Sequence, residues 1–528
     1  MGIWNWLRKV VTSTPSGVVH GVSGPAAERT QAEPTPSATA RAAKGATAEG
    51  TAQEAPTTPT LATPSSWPST TAPLAVRRDE PRSASARGAS LPDDLLQFAG
   101  ARRGTETDIV IGFDLGTSSA KVVLQTPYAL GGRIVAADFG PLGHSSSTYL
   151  LPVSVFRDAA GGWTLVRPGH TAEHRCHLKL PLLGEIRNGE TPDPETAAWA
   201  VAFVALALRE ARRVFLGTQS DTYGGIRFRW AMNVGIPSAG YDDERIRSRF
   251  GLVARAAWLA SLSPVITQTT VDAAVAQAGQ GDIAGMPIAV VPEVAAEMVG
   301  YARSRFRREG LHAVVDVGAS TLDICGIELF ADAGDDRYDL LTADVRDLGF
   351  LELHARRTGA VGGQPPFDGT PSDLVGPLVG LMDAPAGLRA AISYADSGYI
   401  EEASRVLVRT LAWLYCYRAP GAPAWQEGLP LFVTGGGADS PVLKRIVKKV
   451  DEQARAMWVN YTALVAQPLP IALAVGPEQE TTRQRLVVAY GLSYPEISIG
   501  TIVPPSELAN PEPVLLPRRD WQHAYIDK

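Results

Sequence analysis

The stretch AVVDVGASTLDICGIEL, residues 313–329, is a β-branched run that breaks at Gly-Ala-Ser and then resumes as a second apolar run. A tight two-residue hairpin would favour Asn-Gly or Asp-Gly at the break. Here the break is made of small residues, and Asp316 stands just before it. Small residues let backbone N–H groups come close to a ligand, and glycine permits unusual φ. An earlier stretch, IVIGFDLGTSSAKVVLQ (109–125), follows the same plan roughly 200 residues upstream: apolar strand, Asp114, a glycine-containing small-residue turn, then a strand. Asp323, inside the strand that follows the second turn, reads as structural.

Two such hairpins facing each other would clamp one polyphosphate between two half-domains. Backbone N–H groups in a small-residue turn bind concentrated negative charge without cationic side chains. Gly116, Thr117, Ser118 and Ser119 form the first candidate cradle, and Gly318, Ala319, Ser320 and Thr321 the second. Asp114 and Asp316, placed before each cradle, suit Mg²⁺ held largely through its own waters. One copy alone reads more simply as a tight turn with a solvated aspartate; the repetition favours the ligand. A third element, LFVTGGGADSPVLKRIV (431–447), runs from a strand through Gly435, Gly436 and Gly437 into a helix. That arrangement lets a ligand lie on bare backbone at a helix start, although a triple glycine by itself also fits a simple loop. Neither a GxxxxGK[ST] nor a GxGxxG pattern occurs.

The 528-residue chain has a net charge of −6, so composition gives no reason to expect nucleic acid as a partner. Three widely spaced cysteines, Cys176, Cys325 and Cys416, exclude a disulfide framework and fit a reducing compartment. No apolar run reaches the ~20 residues of a transmembrane helix, and no secretory signal stands at the start. A cytoplasmic protein is expected, and the Arg- and Ala-rich composition suits a bacterial one. Residues 1–106, rich in Ala, Thr, Pro and Ser, are predicted to be a disordered arm. Within it MGIWNWLRKVV places Ile3, Trp6, Leu7 and Val10 on one helical face, which confines any membrane contact to residues 3–11. LPDDLLQFAG (91–100) reads as a short docking helix. Beyond the arm, strands alternate with helices, the pattern of a sheet covered by helices. The expected divisions are 107–311, 312–477, a helix at 478–495 and a Pro-rich tail at 496–528. In HTAEHRCH (170–177), His170, His174, Cys176 and His177 could serve zinc only if a helix aligned them, and a polar loop is the plainer reading.

In this order and spacing the elements resemble the actin and 70-kDa heat-shock chaperone ATPase superfamily. GFDLGTSSAKVVL (112–124) is similar to its first phosphate motif, VDVGASTLDI (315–324) to the second and VTGGGADSPVLKRI (433–446) to the adenosine motif. VVPEVAAEMVGYA (290–302) and VVAYGLSYP (487–495) resemble its two connecting helices. The form TGGGADSP and the stretch YLLPVSVF (149–156) lean toward the chaperone branch. The resemblance implies an α/β protein with a duplicated actin-like ATPase fold, two lobes around a central nucleotide cleft, binding ATP or ADP with Mg²⁺. It implies that Asp114 and Asp316 hold the metal's waters, that Thr117, Ser118 and Thr321 contact phosphates, and that Gly435, Gly436 and Gly437 line the adenosine. It places Glu293 near the attacking water, and Lys179, in HLKLPLLGE (177–185), near the terminal phosphate.

Some features depart from the family. The second cradle reads Gly-Ala-Ser where chaperones carry three glycines. Pro292-Glu293 reverses their Glu-Pro order. The region 358–429 shows no clear adenine-clamping helix. The 33 residues after Pro495 leave no length for a peptide-binding domain. The expected function is a slow Mg²⁺-dependent ATPase, a nucleotide-controlled switch read by a protein partner. The alternatives are a self-associating, filament-forming actin-like ATPase and a non-hydrolysing scaffold.

Overall fold

The computed structural model describes residues 96–514, apart from 99–100, 102–103, 130–131, 145–146, 188–192, 281–286, 333, 361, 363–385, 439 and 459–460. The chain divides into two units, Met1–Arg87 and Gly88–Lys528. The first unit, with the segment at 3–11, lies outside the described residues, as do 91–95 and the chain beyond 514.

The second unit is mixed α/β. Its first sheet is built from β1 (Glu106–Leu115), β2 (Ser119–Gln125), β3 (Ile134–Ala136) and β4 (Leu151–Pro152), joined later by β8 (Arg227–Ile236) and β9 (Ile288–Pro292). Between these come a small three-stranded sheet of β5 (Ser154–Arg157), β6 (Trp163–Thr164) and β7 (Glu173–Cys176), then helices α1 (Lys179–Arg187), α2 (Pro194–Thr218), α3 (Glu244–Ser261) and α4 (Gln268–Ala278). The helix α5 (Glu293–Ala302) follows β9 directly. The second sheet contains β10 (Gly310–Val317), β11 (Leu322–Asp332), β12 (Asp335–Arg346), β13 (Leu429–Thr434), β14 (Leu464–Pro468) and β15 (Thr501–Val503). Its helices are α6 (Phe350–Ala360), α7 (Ala386–Tyr417) and α8 (Pro441–Met457), and α9 (Val487–Leu492) ends a 3₁₀ stretch, Pro477–Leu486.

The strand orders are β3-β2-β1-β8-β9 and β12-β11-β10-β13-β14, with β15 added beside β12. In both, an antiparallel hairpin continues into parallel strands: β1 pairs antiparallel with β2 and parallel with β8, and β10 pairs antiparallel with β11 and parallel with β13. Covered on both faces, β1 reads as an almost unbroken buried run from Ile109 to Leu115. Each sheet has its own core, one around Phe113, Trp199, Phe203 and Trp258, the other around Leu411, Trp425, Leu431 and Trp458. A further cluster of Val294, Met298, Val314, Phe432, Leu486 and Tyr490 joins them. All of α5 is buried there. A Cβ at Gly491 of α9 would collide with the Ala296 carbonyl of α5, so only glycine lets these helices touch.

The structure moves several expected boundaries. The fold begins before 107, because Phe98 is buried and the Gln97 side chain pairs with both the N–H and the carbonyl of Phe228, as a strand would. The helix expected across 478–495 is 3₁₀ as far as Leu486, where the run PEQETTRQRL has no apolar stripe to hold an α-helix against the core. Residues 496–503, counted with the tail, form a short helix and β15. His174 and Cys176 lie on strand β7, so His170 and His174 share no helix face. No helix among the described residues is long and apolar enough to cross a membrane.

Candidate functional site

The parallel strands β1, β8 and β9 end at Leu115, Ile236 and Pro292, and β10 and β13 end at Val317 and Thr434. In open α/β sheets, ligands bind beyond such carboxyl ends. Both small-residue turns lie there, and both have their carbonyls held from outside. In the first, the Ser118 carbonyl accepts from Val153 N–H at 2.9 Å, and the Thr117 carbonyl lies 3.2 Å from His177 Nδ1. In the second, the carbonyls of Gly318, Ala319 and Ser320 accept from the N–H groups of Phe350, Leu351 and Gly349 at 3.1, 2.8 and 3.0 Å. Gly318 N–H closes the second turn on the Thr321 carbonyl at 2.9 Å, which leaves the N–H groups of Ala319 and Ser320 there, and those of Thr117 and Ser118 in the first turn, without a turn or loop backbone partner among the described residues. The triple-glycine loop is pinned to the end of β10 by Gly437 N–H donating to the Val317 carbonyl at 3.1 Å. Gly435 has a φ of +84°, and a Cβ there would collide with Asp316 Oδ1. Gly437 is buried against Phe350, which leaves Gly436 as the exposed member of the three.

The charged groups converge between the sheets. Lys179, the first residue of α1, donates to Glu293 Oε1 at 2.6 Å, and both side chains are buried. Lys121 donates to Asp114 Oδ2 at 2.9 Å. Thr321 Oγ1 donates to Asp323 Oδ2 at 3.1 Å. Asp316 Oδ1, Asp323 Oδ1, Glu297 Oε1 and Ser320 Oγ are shut off from solvent without a hydrogen-bond partner. Ser238, Glu293, Glu297, Asp316, Asp323 and Cys325 line a cavity of about 10 Å³, the size of one water.

Five carboxylates (Asp114, Glu293, Glu297, Asp316 and Asp323) thus face two ammonium groups, and the imbalance shows in the acidity of Glu293, Glu297, Asp316 and Asp323. Burial, reinforced by Glu293, pushes Asp316 up to about 7. Burial and the neighbouring Asp316 push Asp323 up to about 8. Burial, then Asp316, holds Glu297 well above the carboxylate range. Glu293 is raised by burial, against the pull of Lys179. Desolvation would lower Lys179, but the carboxylates of Glu293 and Asp114 reverse this and raise it. Buried anions of this kind are neutralised by protons, by paired cations or by metals.

All four expected chemistry-bearing residues, Asp114, Lys179, Glu293 and Asp316, therefore meet in one place. Glu297, Lys121, Asp323 and Arg485 join them without having been singled out as site residues. Lys121 could have been found from the hairpin register, which sets it directly opposite Asp114. Glu297 follows Glu293 by one helical turn. Among the described residues, no three Asp, Glu, His or Cys side chains converge to ligate a metal directly. The unpartnered Asp316 oxygen and the nearby Asp114 carboxylate instead fit a hydrated Mg²⁺, which keeps much of its water shell. Compared with known proteins, the chain matches no family model and no curated protein sequence.

Proposed function

We propose that the chain is an ATP-binding protein with a duplicated actin-like fold, resembling the nucleotide-binding part of 70-kDa heat-shock chaperones. In this reading it is a slow Mg²⁺-dependent ATPase whose two lobes switch with nucleotide state and are read by a protein partner. The observation that carries the reading is the repeated placement of an Asp-led, small-residue turn at the same point of two sheets with the same strand order, Asp114 in one and Asp316 in the other.

The turn N–H groups at 117–119 and 319–321 would take phosphate oxygens, and the exposed backbone at Gly436 would border the nucleoside. Mg²⁺, held through waters at Asp114 and Asp316, would neutralise phosphate charge and orient the chain of phosphates. Lys179 and Lys121, paired with Glu293 and Asp114 here, would turn to phosphate oxygens. Glu293, freed from its lysine, would then orient the attacking water and accept its proton, a step set by positioning and electrostatics. The Lys179–Glu293 and Lys121–Asp114 pairs would have to part for the lysines to reach phosphate, so binding would rearrange the contacts between the two halves. That links occupancy to shape, as a switch requires.

Single-turnover hydrolysis of Mg-ATP by the full chain, beside Asp316→Ala and Glu293→Gln, tests the reading. Hydrolysis by the wild type that is lost in both variants is the expected result. Wild-type rates in Asp316→Ala would overturn it, and tight ATP binding without any hydrolysis would leave a scaffold instead of an ATPase.

A further inference from the structure

Arg485 lies in the polar 3₁₀ stretch Pro477–Leu486, where a sequence such as Arg-Gln-Arg reads as a solvated face. The structure puts it elsewhere. Its backbone is fixed on both sides: Thr434 Oγ1 donates to the Gln484 carbonyl at 3.3 Å, Gln484 Nε2 donates to the Leu469 carbonyl at 3.1 Å, and Leu486 is fully buried. The guanidinium is thereby carried into the gap between the first small-residue turn and the triple-glycine loop. On one side Nη2 reaches Ser119 Oγ at 3.5 Å. On the other it lies over Gly436, where a Cβ would stand 3.6 Å from Nε.

The long contact to Ser119 is its one hydrogen bond to a described residue, and it forms no ion pair with a described carboxylate. Asp114, whose charge acts on it, is held by Lys121. Arg357, buried in the second half, shows what a satisfied guanidinium looks like here: Asp396 takes it on two oxygens at 2.6 and 3.0 Å. Burial pushes Arg485 down to about 10, which still leaves it cationic at neutral pH. Arg485 is half-buried, and apart from the long contact to Ser119 its guanidinium donors meet no described protein partner, so they are open to a ligand. A planar fork of N–H groups, set beside the first small-residue turn and the bare backbone at Gly436, matches a phosphate oxygen pair.

We propose that Arg485 is a phosphate-binding residue whose guanidinium donates directly to the polyphosphate where the first turn meets the triple-glycine loop. This rests on the nucleotide reading above and adds a consequence: affinity depends on how many phosphates the ligand carries, through a side chain of the segment leading into α9.

The test is equilibrium binding of ATP, ADP and adenosine, each with Mg²⁺, to the full chain and to Arg485→Ala and Arg485→Lys, with the melting temperature of each ligand-free protein. Arg485→Ala is expected to weaken ATP and ADP by ~10- to 100-fold, the loss of a charge-assisted contact, while adenosine is unchanged. Arg485→Lys should recover part of the loss. The ligand-free melting temperature of Arg485→Ala should change little, because a half-buried side chain with one long protein contact is being removed. If the wild type binds ATP and Arg485→Ala binds it equally well, the proposal is overturned and the nucleotide reading stands. Equal weakening of all three ligands would make Arg485 structural and also overturn it. If the wild type binds no nucleotide, both fall. Should Arg485→Ala fail to fold, Arg485→Gln, which keeps the stem, carries the same comparison.

Discussion

Across the first hairpin Asp114 faces Lys121, while across the second, at the matching register, Asp316 faces Asp323. Each partner follows its aspartate by seven residues, so the two hairpins share geometry and differ in charge. The first is closed on itself by an ion pair at 2.9 Å. The second sets acid against acid, with Glu297 behind them, and leaves oxygens of all three without partners. Two carboxylates this close cannot both ionise freely. On the proposed reading the first hairpin would supply a balanced cradle, and the second a set of crowded acids that a divalent cation with its waters would deprotonate and satisfy.

The largest expected effect follows from removing the centre of that imbalance. Asp316→Ala should lower Mg-ATP turnover by ~10³-fold, the scale of a lost electrostatic element in a water-excluded site, with ADP binding less affected. Rapid-quench assays at saturating nucleotide measure it. Lys179→Ala should be next, lowering turnover by ~10²-fold and lowering the melting temperature, because Glu293 loses its partner inside the fold. A melting temperature unchanged in that variant would mean that the buried pair does not hold the two halves together. Asp323→Lys converts the second hairpin to the charge plan of the first. It should raise the ligand-free melting temperature and reduce the dependence of nucleotide binding on Mg²⁺ by ~10-fold, about one charge-pair's worth. If titrations show the Mg²⁺ dependence intact, the contrast between the hairpins has no functional meaning.

The smallest effect is in pH. Asp316 and Asp323 hold protons in the folded chain up to about 7 and 8, while the unfolded chain loses them near 3.8. The folded state binds more protons across that window, so its stability falls as pH rises. The ligand-free melting temperature should therefore drop between pH 6 and pH 9, and the drop should shrink in Asp323→Asn. A rise over the same range would contradict the burial of these acids.

Much of the architecture was legible because the turns punctuate it. SAKVVLQ coincides with β2, and FRWAMNVGIP stops as a strand at Pro237, as the sequence implied. Asp114, Asp316, Glu293 and Lys179 could be singled out because each sits beside a recognisable break or motif. Asp323 was visible but read as structural, since nothing local tells a strand acid that faces solvent from one that faces another acid. Glu297 lies on a mostly apolar helix, and the acids Asp316 and Asp323 that face it come from the hairpin of the second sheet. Arg485 was hidden because a polar run gives no sign of which side chain the fold turns inward. Strand β15 was missed because Thr-Ile-Val is too short to show a period, and its partner β12 lies more than 150 residues earlier.

The central claim is that this cleft is a Mg-nucleotide site, and calorimetric titration of ATP into the full chain, with Mg²⁺ and then with the metal chelated, tests it most directly. The account predicts one ATP per chain, bound far more tightly with Mg²⁺ than without, and loss of that difference in Asp316→Ala. No measurable heat and no shift in melting temperature at millimolar Mg-ATP would contradict it.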